Sequence, residues 1–201
     1  MKSLKSLLLV AALQLVSASG QAATLSVQPQ AASVAVGASF DVDLYINLDQ
    51  SESLNYLGAF DVDLGFNADK MTLTSLTFGG KLGDTSVGES LADYTVGGGV
   101  VNLYEASLLE SDSTNCVFCL APYLADLQSS ASFKLATLQF SALASGSSDF
   151  ALTVNALADG FGDNVVATEL TINDAQLTAV PLPAAVWLFA SMLPLIGFRK
   201  S

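Results

Sequence analysis

Histidine is absent from the 201 residues. Its absence removes the usual general base, the commonest metal ligand and every Ser–His or Cys–His nucleophile pair. Cations are almost as scarce: seven lysines and arginines stand against nineteen aspartates and glutamates. Lys2 and Lys5 open the chain, Arg199 and Lys200 close it, and only Lys70, Lys81 and Lys134 lie between, whereas every carboxylate falls between Asp41 and Asp174. Three lysines against nineteen carboxylates give the middle of the chain a net charge of −16. Such a surface repels phosphate backbones and anionic headgroups, so nucleic acid is excluded as a partner, while solubility and cationic ligands are favoured. Cysteine occurs twice and tryptophan once, at Trp187 near the C-terminus.

Long apolar runs occur only at the two ends. Residues 1–22 read as a signal peptide: Lys2 and Lys5 form its basic start and LLLVAALQLV (7–16) its apolar core. That core is too short to span a bilayer, which argues against an uncleaved anchor. Cleavage after Ala22, with Gly20 at −3, and cleavage after Gly20, with Ala18 at −3, both satisfy the requirement for small residues.

At the other end, residues 180–198 carry no charge. As a helix they extend roughly 28 Å, about one hydrocarbon thickness. Pro181 and Pro183 suit a helix entry, where a missing N–H costs little. Trp187 suits a membrane interface, and Arg199 and Lys200 suit a cytoplasmic stop. The expected topology has the domain outside and the tail inside. The order of Val180-Pro181-Leu182-Pro183, an apolar helix over 184–198 and a basic end resembles the PEP-CTERM sorting signal of Gram-negative bacteria, in its VPLPA variant. The resemblance implies an exosortase as partner, a transient inner-membrane anchor, and delivery to the cell surface or the extracellular matrix of a biofilm.

The remaining stretch, 23–179, is about 155 residues long, enough for one domain with a full core. It shows period-two alternation rather than helical periodicity. In FDVDLYINL (40–48), Phe40, Val42, Leu44, Ile46 and Leu48 point inward and Asp41, Asp43, Tyr45 and Asn47 outward. In FDVDLGF (60–66), Phe60, Val62, Leu64 and Phe66 point inward and Asp61 and Asp63 outward. Further strands are expected at 33–36, 71–78, 100–108, 133–143, 150–156 and 167–178, punctuated by turns at 79–80, 97–99, 145–148 and 159–160. Short alternating strands at this spacing indicate an all-β two-sheet sandwich.

The segment 34–78 resembles the opening of a cohesin domain. Val34, Gly37, Phe40, Val42 and Leu44 match its first strand motif, Gly58 and 60–67 its second, and 71–76 its third, while FKLATLQFSALASG (133–146) resembles a later strand and turn. The resemblance implies a nine-stranded jelly-roll sandwich, an architecture shared with carbohydrate-binding modules. Cohesins bind dockerin modules through one sheet face that includes the strand matching 60–66, which would place Ala59, Asp61 and Asp63 on a partner face. The plain alternative is a solvated strand face.

Three constellations could carry chemistry. Cys116 and Cys119 are three residues apart. In an exported chain a disulfide is the first reading, and it demands a turn, because an extended segment holds the two Cα atoms too far apart. A redox motif lacks the surrounding βαβ pattern, and a zinc site lacks histidine and a second cysteine pair. The run DGFGDN (159–164) offers hard oxygens for Ca²⁺ through Asp159 and Asp163, against an ordinary Gly/Asp turn. Glu52, Glu89, Glu105, Glu110 and Glu169 show no spacing that marks the acid and nucleophile of a glycosidase.

These features point to an exported, non-catalytic surface or matrix protein with no cofactor beyond a weak Ca²⁺ candidate and a sandwich that binds a protein or matrix partner. The alternative is a carbohydrate-binding module. It would need aromatic rings in a row on one face, with Tyr45, Tyr56, Tyr94, Tyr104 and Tyr123 as candidates.

Overall fold

A computed structural model describes residues 23–48, 54–165 and 170–181. Eleven strands and one short helix follow in the order β1 (Ala23–Pro29), β2 (Ser33–Ala35), β3 (Ser39–Asn47), β4 (Leu57–Gly65), β5 (Met71–Phe78), β6 (Ser90–Gly97), β7 (Val100–Ser107), α1 (Leu124–Leu127), β8 (Ser132–Ala142), β9 (Gly146–Asp159), β10 (Leu170–Asn173) and β11 (Ala175–Val180). They form a five-stranded sheet, β10-β1-β3-β8-β5, and a six-stranded sheet, β2-β11-β9-β4-β7-β6.

The alternation read from the sequence is the alternation of burial. Val42, Leu44 and Ile46 of β3 and Phe60, Val62 and Leu64 of β4 are at most 2% exposed and meet between the sheets. Phe140 of β8 sits at the centre of an aromatic cluster, stacked on Phe40 at 5.9 Å between centroids and edge-on to Phe66 at 5.2 Å and Phe150 at 5.4 Å. Such offset and edge-to-face pairs add specific geometry to plain area burial.

Four features differ from the expected pattern. The sequence pattern does not predict β1 or β6, and the described residues hold eleven strands rather than nine. The expected turn at 145–148 is already strand, because β9 begins at Gly146. Of the strand expected over 167–178, residues 167–169 lie outside the described residues and the rest falls into two strands in different sheets: β10 pairs in parallel with β1, while β11 lies between β2 and β9. Asp174 marks the crossing, and its carboxylate accepts the N–H of Leu152 at 2.9 Å in place of a ladder partner. Asp43 does leave the core side of β3, yet it is only 8% exposed. The Lys134 ammonium at 3.1 Å and the Thr137 hydroxyl at 2.6 Å cover it, which offsets the desolvation of the carboxylate.

The motif glycine Gly58 also acquires a reason. A Cβ there would lie 2.1 Å from the carbonyl oxygen of Asp159, because β4 and β9 slip register between Leu57 and Ala59.

Among the described residues no helix is long and apolar enough to cross a membrane. The predicted signal peptide 1–22, the spanning segment 184–198, the motif residues Leu182 and Pro183, and the basic pair Arg199 and Lys200 lie outside the described residues. Val180 and Pro181 lie within them. Val180 is the last residue of β11, and its carbonyl accepts the N–H of Val36 at 2.9 Å.

Candidate functional site

Cross-strand partners in an antiparallel sheet point to the same side. The register of β9, β4, β7 and β6 therefore fixes the outer face of the six-stranded sheet row by row. One row is Ala158, Ala59, Ala106 and Leu91; the next is Ala156, Asp61, Tyr104 and Asp93; the third is Thr153, Asp63, Asn102 and Thr95. The face thus carries small side chains and a carboxylate pair at its middle, and exposed Leu91 and Tyr104 toward the β6 edge, at 59% and 41% exposure. The three residues expected on a partner face, Ala59, Asp61 and Asp63, are brought together on it.

Asn102 organises the carboxylates. Its side-chain amide donates to Oδ1 of Asp61 at 2.7 Å and to Oδ1 of Asp63 at 2.8 Å. The amide of Asn155 donates to the same oxygen of Asp61 at 3.1 Å. An amide has two donor hydrogens, so one asparagine orients two like-charged neighbours at once. All three bonds fall on Oδ1, which leaves Oδ2 of both aspartates for a donor from outside. The sequence did signal Asn102: it is the polar residue at an outer-parity position of the alternating run VVNLYEA.

Glu105, one of the glutamates without catalytic spacing, falls on the inner parity of that run, after Val101 and Leu103. It is 1% exposed. The Ser90 hydroxyl meets Oε1 at 2.9 Å, while Oε2 has no hydrogen-bond partner. Burial raises its carboxyl pKa to about 6, against the smaller opposing effect of the Ser90 hydrogen bond.

The connection between β7 and β8 carries the disulfide. Cys116 and Cys119 are bonded with Cα atoms 4.9 Å apart, and Cys119 takes the positive φ of 55° that the tight turn requires. The carboxylate of Glu110 accepts the N–H groups of Val117, Phe118 at 2.8 Å, Cys119 at 2.9 Å and Leu120 at 3.4 Å. The backbone hydrogen bonds, that from Phe118 first, hold this exposed carboxyl below its usual range. The loop so fixed presents Val117, Phe118 and Leu120 to solvent.

The remaining candidates do not converge. Asp159 uses Oδ1 to accept the N–H groups of Phe161 at 2.9 Å and Asp163 at 2.8 Å, which is the bonding of a turn. Among the described residues no group of three or more His, Cys, Asp or Glu side chains is placed to hold a metal. Glu89 accepts the N–H of Asp84, so Glu89, Glu105 and Glu110 each serve a different local structure; Glu52 and Glu169 lie outside the described residues. The tyrosines do not line up. Tyr104 is on the outer face, Tyr94 pairs with Leu103 on the inner side, and Tyr45 belongs to the other sheet.

No family model and no curated protein matches the chain. Solved structures do. A non-cellulosomal cohesin from Archaeoglobus fulgidus matches with a TM-score of 0.55 at 16% identity, covering 83% of this chain and 97% of that one. The second type II cohesin module of a scaffoldin from Acetivibrio cellulolyticus matches with a TM-score of 0.57 at 12% identity, over 87% and 98%. A cohesin from a type I cohesin–dockerin complex of Clostridium thermocellum matches with a TM-score of 0.57 at 8% identity, over 81% and 96%. The domain has a cohesin-like fold. At these identities the likeness is one of architecture, and the cohesin-like sandwich spans nearly the whole of each module it matches.

Proposed function

We propose that this chain is an exported, non-catalytic surface or matrix protein whose cohesin-like domain binds a protein partner through the outer face of β9, β4, β7 and β6. The observation that carries the reading is the Asn102-bridged pair Asp61 and Asp63, pre-oriented beside exposed Tyr104 and Leu91. Two fixed carboxylates with unused Oδ2 atoms suit lysine, arginine or hydroxyl donors of a partner, and an adjacent tyrosine and leucine supply apolar anchoring. The structural neighbours include a cohesin solved with its dockerin, which supports a protein ligand. The scatter of the tyrosines disfavours a polysaccharide platform.

In this reading residues 1–22 direct export and the tail from Val180 is a PEP-CTERM signal, processed by an exosortase after transient anchoring in the inner membrane. Val180, the first residue of that motif, is also the last residue of β11. Replacement of Tyr104 by a photo-crosslinking amino acid, in the full chain and in its host, tests the face. A discrete protein adduct, absent when the crosslinker stands at Thr72 of β5 and absent in Asp61→Lys/Asp63→Lys, is expected. Adducts of equal yield from both positions, or an adduct made of glycan, would overturn the protein-binding reading.

A further inference from the structure

Among the described residues strand β6 is an edge strand and pairs only with β7. Its inward residues Tyr94 and Val96 remain 38% and 50% exposed, so apolar burial holds it weakly. Beneath its first residues lies Glu105, opposite Ala92 on β6 and Phe60 on β4. The proton count there is uneven. The Ser90 hydroxyl lies 2.9 Å from Oε1 of Glu105 and 3.3 Å from the carbonyl oxygen of Gly83, but a hydroxyl has one proton to give. With Glu105 ionised, one of the two acceptors goes without, and a buried charge keeps Oε2 unpartnered. With Glu105 protonated, its O–H donates to Ser90, Ser90 donates to Gly83, and the relay closes.

Among the described residues no cation is paired with Glu105. The charged and titratable groups on the elements around Glu105 are Asp93 and Tyr94 of β6, Asp61 and Asp63 of β4, Lys81, Asp84 and Glu89 of the 79–89 connection, and Lys134 of β8; β5, whose Phe78 packs on Phe60, has none. Lys81 donates to the carbonyl of Leu127 at 2.9 Å and Lys134 to Asp43 at 3.1 Å. Glu89 accepts the N–H of Asp84 and Asp93 that of Tyr94. Asp61 and Asp63 point out of the opposite side of the sheet.

We propose that ionisation of Glu105 weakens the docking of β6, so that the β6 edge of the outer face is held more firmly in acid and loosens toward neutral pH. The carboxyl of the docked state titrates at about 6 against an ordinary value of 4.5. A released strand returns it to the ordinary value, so by linkage the population of the released state grows on the order of ten-fold between about pH 5 and about pH 7.5.

Amide hydrogen exchange on the full-length protein, corrected for the intrinsic effect of pH, tests this without any partner. The result expected is that protection of residues 91–97 falls on the order of ten-fold from about pH 5 to about pH 7.5, that β3 does not follow, and that Glu105→Gln abolishes the fall. Constant protection of β6 in the parent protein, or a fall that persists in Glu105→Gln, overturns the proposal. Should Glu105→Gln fail to fold, the carboxyl resonance of Glu105 in the parent protein decides. A midpoint near 6 supports the proposal and one at or below 4.5 overturns it. The exchange reads the strand alone, so its failure and the failure of the binding face are separate outcomes.

Discussion

Glu105 and Glu110 stand five residues apart and meet opposite conditions. Glu105 is buried with one oxygen unpartnered, and its pKa is raised to about 6. A group whose folded pKa is raised contributes stability that is present below its unfolded value and lost as pH rises through the folded value. Glu105→Gln should therefore stabilise the protein by about 2 kcal/mol at neutral pH and leave it unchanged below about pH 4; urea denaturation at the two pH values measures this. Glu110 is exposed, and four backbone N–H groups hold its pKa down. The sign reverses: its contribution is present above the ordinary glutamate range and is lost as pH falls through the depressed folded value. Glu110→Ala should speed amide exchange at Val117–Leu120 at neutral pH while leaving the strands protected, and strong acid should do the same to the parent protein. The identities of these two glutamates were plain in the sequence, but their roles were not. For Glu105 the signal was parity: a charge where the alternation of β7 demands an apolar side chain. For Glu110 nothing local pointed to the loop, because the bonds run seven to ten residues ahead to a turn that the disulfide creates.

At the scale of elements, the strands with strict alternation and a fully covered face were legible. For β3, β4 and β7 one row of side chains is buried against the opposite sheet and the other, Asp43 apart, is not, while in β8 the buried row changes parity at Leu135. β6 was not legible because it lies at an edge. Ala92, Tyr94 and Val96 do alternate with Asp93 and Thr95, but the inward Tyr94 and Val96 are partly exposed, and the run is short and closed by the glycines at 97–99. The division of β10 from β11 was hidden for another reason. Asp174 reads as one more polar residue in an alternating run, and only the sheet-to-sheet crossing makes it a ladder substitute. Gly58 looked like a family signature and proved to be a clearance requirement at the β4–β9 irregularity. Gly58→Ala should cost about 1–3 kcal/mol by forcing backbone apart, seen as a fall in melting temperature, whereas Gly97→Ala, where added volume meets nothing, should cost little.

Over the whole molecule, charge and architecture point the same way. A net −16 between the apolar ends favours cationic over anionic partners, and the outer face carries an ordered carboxylate pair at Asp61 and Asp63. Binding through this face should weaken as ionic strength rises, because a large part of the attraction is screened. The cohesin-like fold supplies the sheet face on which these carboxylates stand, and the chain leaves β11 at Val180. The most direct test of the account is the yield of protein adduct from a crosslinker at position 104 in the host cell, compared between the parent chain and Asp61→Lys/Asp63→Lys. The account predicts one discrete adduct that the double substitution abolishes; an adduct that survives the substitution unchanged would contradict it.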